Sequence, residues 1–232
     1  MTASSATICA VSFDAHGTLL HLEPPARRLR SSIARRLGID VGLDRCTAAM
    51  RHEIAHYRRI CHRARDSATL AAVRVECADE LAAALAIGVD GPAILPCLTD
   101  AIVYTAYPDA LETIERIERA GLRVAVVSNW DITLHGALHR LGIRAHVALS
   151  SAEAGAAKPD AAIFRRACEL LALEPAAVLH VGDDPITDVD GARQAGLAAV
   201  QIARGGIAES ARRPRIATLL ELPALLDLDR HA

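Results

Sequence analysis

The sequence predicts an α/β fold, in which a parallel β-sheet is flanked by helices and an all-helical domain is inserted after the first strand. From residue 107 onward, short apolar runs of strand length alternate with helical patterns. Between residues 21 and 105, helical patterns instead follow one another without a strand. Strands that alternate with helices pair in parallel through right-handed crossovers. We therefore predict a core domain of residues 1–20 and 106–232 and a helical domain of residues 21–105.

The composition favours a globular protein that binds neither nucleic acid nor membranes. Hydrophobic residues make up 52% of the chain and charged residues 23%, and the formal net charge is -2. Residues 1–10 lack the pattern of a signal peptide, and no later run has the length of a membrane span, so we expect a cytoplasmic protein. The six cysteines show no zinc-site spacing and fit small buried positions: Cys9, Cys46, Cys61, Cys77, Cys97 and Cys168.

The first strand leads into a loop that carries a carboxylate. The apolar run Ile8–Val11 predicts a buried strand, and the sequence Gly17-Thr18 breaks the extended pattern. Asp14 therefore lies where a strand ends, and ligands of open α/β sheets bind at that edge. Because Asp is also a common turn residue, this stretch alone leaves a structural and a chemical role equally open.

Four helices are expected in the inserted domain. Two adjacent prolines form a stiff connector into it, because proline fixes φ and ends regular pairing. Leu29, Ile33 and Leu37 are spaced four residues apart on the first helix, and Gly38 ends that helix. The predicted helices of this domain are 27–37, 44–65, 67–87 and 93–103.

The second part of the core alternates strands and helices up to the end of the chain. The run Val124–Val127 is typical of a central parallel strand. A proline opens the helix that begins at residue 159. The further predicted strands are 146–149, 178–181 and 199–202, and the predicted helices are 111–120, 132–141, 159–171, a segment from 185 to 196, and 219–226.

Three loops that follow predicted strands should share the sheet edge of Asp14. Lys158 lies on one of them and is the only lysine in a chain whose other basic residues are arginines. Crowded carboxylates repel one another unless they are protonated or share a cation, and hard oxygen ligands suit Mg²⁺. A cation together with hydroxyl and ammonium groups stabilises phosphoryl charge, and Asp14 can serve as the nucleophile. The side chains brought to this edge are Ser128, Asn129, Lys158, Asp183, Asp184 and Asp188.

Four short motifs, taken together, resemble those of a known family. They read, in order, FDAHGTLL, VVSNWD, GAAKPD and HVGDDPITDVDGA, and they extend from Asp14 to Gly191. This order is similar to the four motifs of the haloacid dehalogenase superfamily of hydrolases. The resemblance implies a Rossmann-like core and identifies the helical insert with the cap of subfamily I, the C1 type.

The resemblance also assigns catalytic roles. It makes Asp14 the nucleophile and a metal ligand, and it makes the backbone carbonyl of His16 a further metal ligand. Thr18 would orient the first loop, and Lys158 would neutralise both the phosphoryl group and Asp14. Ser128 and Asn129 would bind the transferring phosphoryl group.

The remaining acids divide into metal ligands and helix residues. By the same resemblance, Asp183 would be the main acidic ligand of Mg²⁺, and Asp188 would support the ion through water or an outer-shell contact. Asp184 and Asp190 are as well explained by starting or solvating the following helix, because acidic side chains stabilise helix N-termini.

His16 departs from the pattern of most phosphatases in this superfamily. Those enzymes carry an Asp two residues after the nucleophile, which protonates the leaving group and then activates water. Histidine is itself a competent acid and base near neutral pH, so His16 can take this catalytic role. We therefore expect a phosphatase that prefers good leaving groups or works best at lower pH.

Two other activities remain as alternatives. A 2-haloacid dehalogenase also carries a non-acidic residue at this position, although metal-free dehalogenases of this kind do not keep an acidic GDD loop. A phosphonatase is excluded because the helical insert contains no lysine for a Schiff base. A catalytically impaired binding protein is the second alternative, which the intact Asp14, Lys158 and Asp183 disfavour.

The sequence as a whole predicts a Mg²⁺-dependent phosphatase. We expect hydrolysis of a small phosphorylated metabolite through an aspartyl-phosphate on Asp14. The sequence does not distinguish a monomer from a homodimer, and it does not name the substrate.

Overall fold

The computed structural model describes residues 7–205 and 214–228. They divide into two compact units. The helical unit comprises Leu22–Thr105 and Trp130–Ile132, and the other described residues form the sheet unit. The inclusion of Trp130–Ile132 in the helical unit differs from the expectation, since the sequence places Trp130 and Asp131 in a loop of the core and Ile132 at the start of a core helix.

The helical unit contains four helices with a hydrophobic core of their own. Leu29, Ile33, Leu81 and Ile94 are among the fully buried side chains of this core. No described helix of the protein is both long enough and apolar enough to cross a membrane. The helices are α1 (Pro25–Leu37), α2 (Leu43–Ile60), α3 (Ser67–Leu85) and α4 (Gly91–Ala101).

Local capping explains where these helices begin and end. Gly38 ends α1 in the left-handed region, with a φ of 68° that favours glycine. The predicted helix 44–65 is shorter in the structure and is followed by a 3₁₀ turn. Asp66 and Thr69 form a capping box that starts α3, and their mutual hydrogen bonds of 2.8 and 3.0 Å compete with a continuing helix.

The strands lie near their predicted positions, although the first spans Ala10–Phe13 rather than Ile8–Val11. Apolar residues make up most of the strand Arg123–Ser128, which is buried over nearly its whole length. Three short strands were not predicted, because segments of two or three residues carry too little periodicity. The strands are β1 (Ala10–Phe13), β2 (Leu20–Leu22), β3 (Tyr104–Ala106), β4 (Arg123–Ser128), β5 (Val147–Ser150), β6 (Val178–Gly182), β7 (Ala198–Ile202) and β8 (Arg215–Ile216).

Six of these strands form one parallel sheet in the order β5-β4-β1-β6-β7-β8, and β2 pairs with β3 in a separate sheet. The predicted α/β fold class is confirmed. In this order β1 is central, and Phe13 pairs in register with Val126 of β4 and Val181 of β6. The loops after β1, β4 and β6 therefore leave the same edge of the sheet side by side.

The helices of the sheet unit cover the sheet. The predicted helix between residues 185 and 196 is instead a π-helical segment, Pro185–Asp190, followed by a short α-helix. The N–H groups of Asp188 and Val189 both donate to the carbonyl of Asp184, which widens this turn. The α-helices are α5 (Ala110–Arg119), α6 (Leu134–Arg140), α7 (Ser151–Ala154), α8 (Ala161–Leu171), α9 (Gly191–Gln194) and α10 (Leu222–Leu225).

Candidate active site

Asp14 lies immediately after the central strand and is held by the backbone around it. Its N–H donates to the carbonyl of Val181 at 2.8 Å, which extends the pairing of β1 with β6 by one residue. The N–H groups of Leu19 and Leu20 both donate to the carbonyl of Ala15 at 2.9 Å and close the following loop. The carboxylate of Asp14, which is only 6% exposed, is thus fixed at the carboxyl edge of the sheet.

Lys158 joins two buried carboxylates at this edge. Its ammonium nitrogen lies 2.5 Å from Oδ1 of Asp14 and 2.6 Å from Oδ1 of Asp188. Burial lowers the pKa of Lys158, but the attraction of both carboxylates outweighs burial and raises this pKa above its usual value. The only lysine of the chain therefore stays charged at the centre of the site.

Ser128 and Asn129 contact the same two residues from the end of β4. The hydroxyl of Ser128 donates to Oδ1 of Asp14 at 2.9 Å. The side-chain amide of Asn129 donates to the carbonyl of Lys158 at 2.9 Å and accepts from its N–H at 2.7 Å. Oδ1 of Asp14 is thus held by two donors, and no described residue donates to Oδ2. One oxygen of this carboxylate is therefore fixed, while the other has no donor among the described residues.

Asp188 is buried and its two oxygens are also held. Oδ1 accepts from Lys158, and Oδ2 accepts from the N–H of Asp184 at 3.0 Å. Burial alone would raise the pKa of Asp188, but the charge of Lys158 lowers it well below its usual range. Asp184 caps the following segment, because its carboxylate accepts from the N–H groups of Ile186 and Thr187. This contact supports the helix-starting explanation of Asp184.

Asp183 is the most accessible acid of the group. Part of its side chain is exposed, yet desolvation, followed by the charges of Asp14 and Asp188, raises the pKa of Asp183 to about 6. Two glycines of the motifs make room for these acids. A Cβ on Gly17, whose φ is +85°, would lie 2.4 Å from Oδ2 of Asp183, and a Cβ on Gly182 would lie 2.2 Å from the carboxyl carbon of Asp188.

The acids form a suitable set of ligands for a small hard cation. Oxygens of Asp14, Asp183 and Asp188 lie within 4.8 Å of one another, and no other group of this kind occurs among residues 7–205 and 214–228. One ammonium group faces three carboxylates here, and the pKa of Asp183 is raised first by desolvation and then by the charges of Asp14 and Asp188. Carboxylate oxygens are the donors that Mg²⁺ prefers, so these residues fit this ion.

The residues of this site all lie within the region that matches a known protein family. The model of the haloacid dehalogenase-like hydrolases matches residues 8–196, which is most of the chain. The chain belongs to this family. The matched region begins before β1 and ends after α9, and it includes every residue of the acidic site.

Comparisons with members of the family show both sequence and fold similarity. The chain is 42% identical over 90 residues to haloacid dehalogenase-like hydrolase domain-containing protein 3 of Homo sapiens, covering 38% of this chain and 36% of that protein. It is 37% identical over 105 residues to phosphoserine phosphatase of Thermus thermophilus, covering 44% and 42%. The chain thus matches less than half the length of either relative. L-2-haloacid dehalogenase of Xanthobacter autotrophicus is 22% identical, with coverage of 95% and 99% and a TM-score of 0.70, and shares the fold.

The two remaining predicted residues of the first loop have different surroundings. His16 is partly exposed and forms an isolated bridge with Leu20. Thr18 is fully buried and its hydroxyl has no hydrogen-bond partner among the described residues, while its carbonyl accepts from Arg204. Thr18 therefore contributes its backbone to this loop, and the metal contact of His16 stays a prediction.

The structure adds a buried histidine that the sequence did not indicate. His180 lies on β6 with no exposed surface, and its Nδ1 is 3.0 Å from the hydroxyl of Ser12 on β1. Its Nε2 is 3.5 Å from Oδ1 of Asp188. Burial is the main cause that lowers the pKa of His180, so its ring is neutral at neutral pH. Residues 12 and 180 are far apart in sequence, and only the strand register brings them together.

A second network holds the end of the loop that follows β1. Arg204 forms two hydrogen bonds of 2.9 and 3.1 Å with Asp109, and it donates to the carbonyl of Thr18 at 2.6 Å. The guanidinium also stacks on the ring of Tyr107 at 3.6 Å. Asp109 in turn accepts from the hydroxyl of Thr218 at 2.6 Å. In this protein, a loop after β7 therefore supports the loop after β1.

Proposed function

We propose that the protein is a Mg²⁺-dependent phosphatase that hydrolyses a small phosphorylated metabolite through an aspartyl-phosphate on Asp14. The observation that carries this proposal is the state of Asp14, whose Oδ1 is held by Lys158 and Ser128 while Oδ2 has no donor among the described residues. A nucleophile needs one oxygen free to attack, and the ammonium group nearby offsets charge on the phosphoryl group.

The first chemical step would transfer the phosphoryl group to the protein. A lone pair of Oδ2 of Asp14 attacks phosphorus, and the bond from phosphorus to the leaving oxygen breaks. Lys158 and the hydroxyl of Ser128 stabilise the negative charge that spreads over the phosphoryl oxygens. His16 gives a proton to the leaving oxygen. Asp14, Asp183 and Asp188 would hold a Mg²⁺ ion, which would supply positive charge to offset the charge of the phosphoryl group.

The second step would restore the nucleophile. A water molecule attacks phosphorus, and the bond from phosphorus to Oδ2 of Asp14 breaks as inorganic phosphate forms. His16, left neutral by the first step, accepts the proton of this water. The helical unit would serve as the cap that covers the reacting groups and selects the substrate, because covering a site excludes water. The boundary of this cap at residues 21–105 is likewise part of the proposal.

The sequence relatives support a phosphatase over other hydrolases. Phosphoserine phosphatase of Thermus thermophilus aligns with this chain at 37% identity, and its name states a phosphomonoester substrate. The fold alone does not decide the reaction, since an L-2-haloacid dehalogenase shares it. The acidic group around Lys158 is the feature that a phosphatase requires.

A second candidate is a 2-haloacid dehalogenase, which the non-acidic His16 favours. Halide leaves carbon without a proton, so that reaction has no need of an acid at this position. Release of chloride or fluoride from 2-haloacids in the absence of Mg²⁺ would establish this activity. A complete requirement for Mg²⁺ would rule it out.

The proposal is tested by a screen of phosphate monoesters with Mg²⁺ present and with Mg²⁺ removed by a chelator. We expect hydrolysis that depends entirely on Mg²⁺ and that favours aryl over alkyl esters. Absence of turnover on the whole panel, with Asp14 still trapped by beryllium fluoride, would indicate a binding protein instead.

The role of His16 is tested separately by the variant His16→Asp. If His16 donates the proton, this change shifts the pH profile and reduces the difference between aryl and alkyl phosphates. An unchanged dependence on the leaving group would show that His16 is not the acid.

A further inference from the structure

The loop after β4 belongs to both units of the protein. Ser128 and Asn129 lie in the sheet unit, where they contact Asp14 and Lys158. The next three residues, Trp130–Ile132, pack as part of the helical unit. The sequence motif that supplies the phosphoryl-binding residues therefore continues without a break into a segment held by the helices.

Three contacts within the helical unit hold this segment. The hydroxyl of Tyr57 on α2 donates to Oδ2 of Asp131 at 3.0 Å. The N–H of Ile132 donates to the carbonyl of Ala64 at 3.2 Å. The ring of Trp130 packs against Tyr104, with 4.8 Å between the ring centroids. The first of these contacts has a carboxylate acceptor, which makes it the stronger of the two hydrogen bonds.

The chain places its scarce aromatic residues at this segment. It has one tryptophan and three tyrosines in 232 residues. The tryptophan and two of the tyrosines, Tyr57 and Tyr104, lie here. Burial is the main cause that raises the pKa of Tyr57, so its hydroxyl remains a donor over the working pH range. Asp131 is itself only 6% exposed. A buried, charge-assisted contact of this kind restricts the position of the backbone that carries it.

We propose that the hydrogen bond between Tyr57 and Asp131 positions the Ser128–Asn129 segment for phosphoryl transfer. This inference rests on the proposed function, because it assigns a supporting role at the same site. Asp131 is three residues beyond Ser128, so their Cα atoms are at most about 11 Å apart. We expect a displaced Asp131 to shift this short segment and with it the hydroxyl that holds Asp14, and small displacements of such groups reduce turnover strongly.

The test compares Tyr57→Phe with a matched control, Tyr107→Phe. Both changes remove one phenolic hydroxyl, but Tyr107 uses its ring to pack on Arg204, and its hydroxyl makes no hydrogen bond among the described residues. We expect Tyr57→Phe to lower kcat/KM for para-nitrophenyl phosphate by about tenfold, and Tyr107→Phe to change it by less than about twofold. Thermal unfolding followed by circular dichroism verifies that both variants are folded.

Amide hydrogen exchange gives a result that needs no turnover. We expect the peptide containing Val127–Asp131 to exchange faster in Tyr57→Phe than in the wild type, and at the wild-type rate in Tyr107→Phe. If the wild type hydrolyses no phosphomonoester, the proposed function fails, while the exchange comparison still decides whether the hydrogen bond positions this segment.

A double-mutant cycle separates positioning from a general loss of packing. Because the hydroxyl of Tyr57 would act only through Asp131, Tyr57→Phe should cause no further loss of activity or protection in an Asp131→Ala background. The inference is overturned if the activity losses of Tyr57→Phe and Asp131→Ala multiply in the double variant. It is also overturned if Tyr57→Phe and Tyr107→Phe behave alike in both kcat/KM and hydrogen exchange.

Discussion

The two units of the protein treat ionisable side chains in opposite ways. The sheet unit buries Asp14, Lys158 and Asp188 together at the carboxyl edge of its sheet. The helical unit instead keeps most of its ion pairs at the surface, for example those of Arg30 with Asp40 and Arg36 with Asp100. Burying a charge costs free energy unless a partner compensates it, and in the sheet unit Lys158 compensates both buried carboxylates.

Two buried carboxyl groups show the difference most clearly. Asp188 of the sheet unit contacts Lys158, and this charge lowers its pKa. Glu53 of the helical unit is only 4% exposed, and its neighbour is the thiol of Cys77 rather than a cation. Burial raises the pKa of Glu53 to about 7, and the thiol contact offsets little of this shift. The neighbouring cation, rather than the depth of burial, thus decides which carboxyl stays charged.

Removal of the cation in the sheet unit should have the largest effect. We expect Lys158→Met to lower kcat by at least about 10²-fold to 10³-fold, because charge on the phosphoryl group loses its partner. The variant should also lose about 3–5 kcal/mol in free energy of unfolding, since Asp14 and Asp188 remain buried without a cation. Urea unfolding and a phosphatase assay measure the two effects. If Lys158→Met is about as stable as the wild type, the contacts of Lys158 with Asp14 and Asp188 do not stabilise the fold as proposed.

Neutralising the buried acid of the helical unit should stabilise the protein, in contrast to Lys158→Met. Folding raises the pKa of Glu53 above its value in the unfolded chain, so the folded protein binds this proton more tightly. The contribution of Glu53 to the free energy of unfolding is therefore fully present below the pKa of the unfolded chain and is lost as the pH rises through about 7. From pH 4.5 to pH 8 this loss amounts to roughly 3 kcal/mol as an upper limit. Glu53→Gln should therefore be more stable than the wild type at pH 8 and similar to it at pH 5.

Fluorescence of Trp130, the single tryptophan of the chain, measures this effect within the helical unit. Urea unfolding at pH 5, 6.5 and 8 gives the pH dependence. If the difference in free energy of unfolding between Glu53→Gln and the wild type is the same at all three pH values, Glu53 does not titrate in this range.

The smallest effect is expected for a surface pair of the helical unit. Arg30 lies 3.1 Å from Asp40, and 47% and 82% of their side chains are exposed. Exposed pairs contribute little because water and salt screen them, so Arg30→Ala should change the free energy of unfolding by less than about 1 kcal/mol. Urea unfolding at low and high salt tests this, and a larger loss would show that surface charges matter more here than the comparison of units suggests.

The sequence predicts those parts of the site that follow a strand directly. Asp14, Ser128 and Asp183 each come just after an apolar run, and the parallel sheet brings the ends of adjacent strands together. Lys158 was indicated because it is the only lysine of the chain. The structure places it against Asp14 and Asp188 by a contact that no local pattern shows. The function of these residues as a catalytic set remains a proposal.

The features that the sequence did not indicate depend on contacts between distant residues. Arg204 meets Asp109 across 95 residues, and His180 meets Ser12 across 168 residues. Neither pair has a motif, because the fold and not the spacing brings them together. Trp130 was likewise assigned to the core by its neighbours in sequence, although its packing against Tyr104 places it in the helical unit.

The most direct test of the catalytic account is to trap the phosphorylated protein. The wild type is mixed with Mg²⁺ and a labelled aryl phosphate, quenched in acid within one turnover, and digested for mass spectrometry. We predict a phosphoryl group on the peptide that contains Asp14, and none in Asp14→Asn. Turnover by the wild type without any label on this peptide would contradict the proposed mechanism.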